Sequence, residues 1–81
     1  MNKKQIDIVK DTLLRRFLNK TIIGMRYINR QDIQVKKIGG DVVQKAIDEM
    51  IKDGYLEVHH KECVSINSRM LKSIGDYLEK S

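Results

Sequence analysis

Proline is absent and cysteine occurs once, at Cys63. Without proline, nothing in the chain forbids long helices. A lone cysteine cannot form an internal disulfide, which favours a reducing compartment and makes the cytoplasm the expected location. No apolar run approaches the roughly 18 residues needed to cross a bilayer, so no membrane partner is expected. The opening residues MNKKQIDIVKD carry charges through the segment that a secretory signal would keep apolar. There is no phosphate-binding glycine loop, no nucleophile elbow and no pair of carboxylates in a catalytic setting. A chain of 81 residues also leaves little room for a closed pocket. No enzyme is expected, no catalytic residue and no cofactor. Internal repeats and low-complexity segments are missing too.

What is present is a folding composition, 41% hydrophobic and 33% charged. One domain of this size, residues 1–81, buries only about 60% of its unfolded surface, so a contact with a second copy would help it. The net charge of +5 is uneven: residues 1–40 hold ten Lys/Arg against three Asp, and residues 41–81 hold six against eight acids. A basic half points toward an anionic partner, most often nucleic acid; the plainer alternative is that these cations keep a small protein soluble.

The pattern from Lys36 to Leu56 organises the rest. Val42, Val43, Ala46, Ile47, Met50 and Ile51 recur at steps of three and four, which places them on one face of a helix over about 41–53. Asp41 is placed to accept from the free amides of its first turn, and Gly54 to end it in the left-handed conformation. Gly39-Gly40 is expected to let the preceding turn take positive φ. An earlier helix over about 3–19 is read from Ile6, Val9, Leu13, Leu14, Phe17 and Leu18, with Asn2 and Gln5 at the spacing of a capping box. A short strand is expected near 26–28, and residues 21–25 fit strand or helix equally well. Asn29 and Asp32 signal a short helix over about 30–36.

Leu56 and Val58, then Val64 and Ile66, alternate with polar residues as strands of a hairpin over about 55–66 do. Met70, Leu71, Ile74, Tyr77 and Leu78 form the apolar stripe of a last helix over about 68–80, started by Asn67 or Ser68. Helix one is able to bury that stripe, or a second copy is. Gly75 within it is read as permitting a close contact.

Helix, short strand, helix, turn, helix, hairpin, helix: this order resembles the winged helix–turn–helix family of small prokaryotic and archaeal transcription regulators. The likeness is carried by Asn29–Ile33, by Ile38-Gly39-Gly40, by the run from Ala46 to Leu56 and by Val64-Ser65-Ile66-Asn67. It implies a mainly helical α+β fold with a three-helix core, a helix–turn–helix over about 29–53, a short β-hairpin wing and a C-terminal helix. It also implies double-stranded DNA as partner. The third helix would dock in the major groove with Asp41, Gln44, Lys45 and Asp48 at base edges. Gln44 would pair with adenine and Lys45 with guanine.

Backbone contacts would come from Arg26, Tyr27, Arg30, Lys36, Lys37 and the amides of Gly39 and Gly40, with His59, His60 and Lys61 at the wing tip. Regulators of this kind are commonly homodimers, here through Met70, Leu71, Ile74, Tyr77 and Leu78. Residues 41–53, however, hold two lysines against four acids, which suits a phosphate-lined groove poorly and favours the alternatives, a protein-interaction module or a subunit of a larger complex. RNA binding is a further possibility, since the fold also serves it. His59, His60 and Cys63 lack a fourth ligand, and neighbouring strand residues point to opposite faces, so no metal is expected.

Overall fold

The computed structural model describes residues 3–80. Helix α1, Lys3–Asn19, buries Ile6, Val9, Leu13, Leu14 and Phe17 on the face that their spacing predicts. The proposed cap at Asn2 lies outside the described residues. The helix is closed by two bonds, Thr21 N–H to Leu18 O at 3.2 Å and Ile22 N–H to Phe17 O at 2.9 Å, with Thr21 at φ +57°. This is the Schellman pattern with a β-branched residue where glycine is usual. Residues 21–25 are neither helix nor strand. They carry a single parallel bridge, Ile23 to Ile66, and a turn at Gly24 with φ +62°.

Strand β1, Ile28–Asn29, is two residues long. The expected second helix shrinks to one 3-10 turn, Arg30–Asp32, whose first amides are met by Asn29 Oδ1 accepting from Gln31 N–H at 2.8 Å. It stops because Ile33 is the only fully buried residue of this stretch, with Val35 half-buried beside the core, and Ile33 has already gone extended at φ −85°, ψ 122°. A helix with one apolar anchor has too little burial to offset its ordering.

Helix α2, Gly40–Lys52, is longer and properly amphipathic, with Val43, Ala46, Ile47 and Met50 buried. Its two ends differ from each other. At the start, Gly39 is the cap residue at φ −64° and no side chain bonds the free amides, so Asp41 does not cap as its position suggested. Asp41 still puts a carboxylate in the first turn, where the helix dipole favours it. At the other end Gly54 adopts φ +89°, with Gly54 N–H to Ile51 O at 3.1 Å and Tyr55 N–H to Met50 O at 2.9 Å. That is a complete Schellman cap on the expected glycine.

Strands β2, Leu56–His59, and β3, Cys63–Ile66, form the hairpin, and β1 adds to the free side of β3, giving the antiparallel order β1-β3-β2. The central position of β3 explains why Val64, Ser65 and Ile66 are all buried. Val58 pairs with Val64 but is 46% exposed, because β2 is an edge strand whereas Val64 is flanked by a strand on either side. Ser65 faces the opposite side from Val64, under residues 21–27, and its Oγ donates to Gly24 O at 2.7 Å. After a 3-10 turn, Ser68–Met70, capped by Asn67 Oδ1, helix α3 spans Leu71–Lys80.

Ile74 and Leu78 of α3 join the core with α1 and α2. Gly75 is not a contact point: a Cβ there would meet nothing within 4 Å. Lys10 of α1 bonds Glu49 of α2 at 2.9 Å. Burial works against that ammonium, but the hydrogen bond and charge of Glu49, with Asp53 behind it, outweigh burial and raise its pKa above the usual 10.5. Burial and the nearby Asp7 likewise raise the Tyr77 phenol, whose ring packs 5.7 Å from Tyr55. The result is a mainly helical α+β domain. No described helix is long and apolar enough to cross a membrane.

Candidate nucleic-acid interface

Asp41, Gln44, Lys45 and Asp48 fall on the outward side of α2, because the inward side is taken by Val43, Ala46, Ile47 and Met50. Three of the four are exposed. Gln44 is not available in the same way. Arg30 Nε donates to Gln44 Oε1 at 2.6 Å, Arg30 Nη2 to Gln44 O at 3.2 Å, and Gln44 Nε2 returns a bond to Arg30 O at 2.9 Å. Arg30 Nη2 also meets Asp48 Oδ1 at 2.6 Å. The 3-10 turn is thus fastened to α2 by the residue expected to hold phosphate and the residue expected to read adenine. Both side chains are bonded within the domain rather than standing free. The amide and the guanidinium satisfy each other, and Asp48 cancels the charge. Sequence spacing does show that Gln44 and Asp48 share a helix face, but nothing in it points to a partner at Arg30.

Other cations are also committed internally. Arg15 pairs with Asp11 and donates to Leu78 O, and Arg16 donates to Gln34 O at 2.7 Å. Against these stand Lys36, Lys37, Lys61 and Arg26, all exposed and without an ion pair among the described residues. Their backbones are informative. Ile38 N–H bonds Val35 O at 3.1 Å, closing a turn whose third residue, Lys37, stands at φ +69°. At the hairpin tip His60 and Lys61 stand at φ +51° and +68°. Left-handed backbone costs an L-residue about 1–2 kcal/mol, and turns of these kinds ordinarily recruit glycine or asparagine.

The expected glycines lie elsewhere. Gly39 is at φ −64°, Gly40 is in ordinary helical backbone, and a Cβ on Gly40 would meet nothing within 4 Å. Positive φ at these tips therefore falls on lysine and histidine, as it falls on Thr21 after α1. Lys61→Gly should accordingly raise stability by about 0.5–1 kcal/mol, a gain of roughly 3–6 °C in a thermal melt.

The two histidines do not diverge. His59 ends β2 and His60 has already turned, so both reach Tyr27. The Tyr27 ring stacks on His59 with centroids 4.6 Å apart and planes at 18°, and its hydroxyl lies 3.0 Å from His60 Nε2. Ser65 has one proton, which goes to Gly24 O, so His59 Nε2–H is the donor in the 3.0 Å bond to Ser65 Oγ. Among the described residues no three His, Cys, Asp or Glu side chains gather as metal ligands.

In α3, Ile74 and Leu78 are spent on the chain's own core. Of the stripe expected to face a second copy, Leu71 is exposed and Met70 and Tyr77 are half-buried. Comparison with family models, with curated proteins and with solved structures gives no match for the chain.

Proposed function

We propose that the chain is a duplex-DNA-binding domain of the winged-helix type, most simply a transcription regulator. It docks through the turn before α2 and through the hairpin tip. Lys36 and Lys37 hold the backbone on one side of α2, Lys61 holds it at the tip, and α2 lies along the major groove with Lys45 as its cationic base contact. Asp41 is left to accept from cytosine amino groups. The order α1, β1, 3-10 turn, α2, hairpin, α3 supports the family reading, with the second helix reduced to a single turn.

The observation that carries the proposal is the division of cations. Arg15, Arg16, Arg30 and Lys10 are bonded within the fold, whereas Lys36, Lys37 and Lys61 are exposed and without an ion pair among the described residues, with Lys37 and Lys61 at positive φ. Unpaired surface cations release counterions from phosphate and so bind a polyanion with strong salt dependence.

The test is charge reversal at the turn. Lys36→Glu with Lys37→Glu should weaken duplex binding at low salt on the order of 10–100-fold and flatten the slope of log K against log salt by about 2. Unchanged affinity overturns the docking edge. A second reading, a protein-interaction module, is favoured by one observation: the outward face of α2 is acidic and the Arg30 charge is neutralised by Asp48. Heparin retention separates the two, because a DNA binder elutes late in a salt gradient and an interaction module elutes early.

A further inference from the structure

We propose that Tyr27, stacked on His59 beside the hairpin tip, is a platform for an unpaired base of single-stranded DNA. The proposal rests on reading the chain as a nucleic-acid binder and deepens it by naming a second feature of the substrate. Tyr27 is 39% exposed, so ring surface remains open after the stack on His59 is made. Met25, two residues away, is 84% exposed. These side chains lie on residues 25–27, which bulge between the Ile23 bridge and β1, away from the core.

The platform is held rigidly. The Tyr27 hydroxyl is engaged by His60, His59 is fixed to the fully buried Ser65, and Ser65 is tied to the Gly24 carbonyl. An aromatic face pinned from two sides loses little freedom when a base stacks on it. Arg26 adjoins Tyr27 in the chain and Lys61 adjoins His60, and both cations are exposed and without an ion pair among the described residues. The opposing acid at the tip is Glu62.

Aromatic surface bordered by cations is the pairing that single strands exploit, since every base has a π-face and every linkage a phosphate. An intact duplex hides its base faces and gives the Tyr27 ring nothing to stack on. The lysines of the turn serve the duplex, and the Tyr27 platform serves a strand that has left it.

The experiment uses the full chain, a blunt duplex, and the same duplex with a short single-stranded tail carrying 2-aminopurine. Binding to the tailed duplex should be about 5–100-fold tighter than to the blunt one, with the tail fluorophore quenched. Tyr27→Ala should abolish the quenching and the preference, so that tailed and blunt duplexes are bound alike. Tyr27→Phe, which keeps the ring, should retain most of both, and a thermal melt confirms that each variant folds. Equal affinity for tailed and blunt duplex in the wild-type chain overturns the platform even if the duplex proposal stands. Tyr27-dependent quenching without blunt-duplex binding supports the platform and overturns the duplex reading instead. Quenching on an RNA tail but not on DNA overturns the assignment to DNA.

Discussion

Phe17→Ala should lower the melting temperature by roughly 15–30 °C and leave much of the population unfolded under mild conditions. Phe17 is 1% exposed and is the largest fully buried side chain among the described residues. It sits in the last turn of α1, and its carbonyl takes the Ile22 amide that closes the helix. Truncation removes the ring from a core supplied by both long helices and the sheet, at a cost of about 3–5 kcal/mol. A domain of 81 residues buries a modest share of its surface, and total stabilities run about 5–15 kcal/mol, so that cost is a large fraction of the whole. Val58→Ala is the control. Val58 is also aliphatic but is 46% exposed on the edge strand, and its truncation should cost less than about 0.5 kcal/mol. A large shift at Val58 would mean that the hairpin is packed against something else.

Much of this architecture is legible in the sequence where burial and local geometry agree. The span of α1 follows from Ile6, Val9, Leu13 and Phe17, and it is observed as Lys3–Asn19. The hairpin and the glycine that ends α2 are equally plain, because a strand period and an Asp-Gly stop are local signals. The failures share a different cause. Asn29 and Asp32 signal a helix start, but Ile33 and Val35 give it too little apolar surface to continue, and Ile33 after Arg30–Asp32 is already extended. Gly39-Gly40 looks like a turn needing positive φ, yet that demand falls on Lys37 two residues earlier. Local composition cannot say which residue of a turn bears the strain.

The site is less legible still. Lys36, Lys37 and Lys61 are visible as cations, but the acids that would silence them are known only once the fold is formed. Tyr27 lies in sequence 32 and 33 positions from His59 and His60, and the pairing arises because Ile28 and Asn29 are registered against Val64 and Cys63. Nothing in a window of sequence reports that.

The same long-range logic governs the second large effect, at Arg30. Arg30→Ala should destabilise the domain by about 2 kcal/mol, whereas Asp48→Asn should cost under about 0.5 kcal/mol. The difference follows from exposure. The Arg30 side chain is 18% accessible and Asp48 65%, so their ion pair is mostly screened and contributes little. The bonds from Arg30 to Gln44 are part-buried and charge-assisted, and removing Arg30 leaves the Gln44 amide without its donor. Gln44→Ala should therefore cost nearly as much as Arg30→Ala, and the double variant clearly less than their sum.

Binding separates this account from the simpler one in which Arg30 holds phosphate. A phosphate contact predicts that Arg30→Ala flattens the salt slope of duplex binding by about 1. A guanidinium bonded to Gln44 and Asp48 neutralises no phosphate, so the slope should stay as it is, while Asp48→Asn, which frees Arg30 Nη2 for a phosphate, steepens it. A flattened slope for Arg30→Ala together with the expected loss of thermal stability would show that the Arg30–Gln44–Asp48 fastening forms in the free domain and gives way when the duplex arrives. A flattened slope with unaltered stability would overturn the fastening.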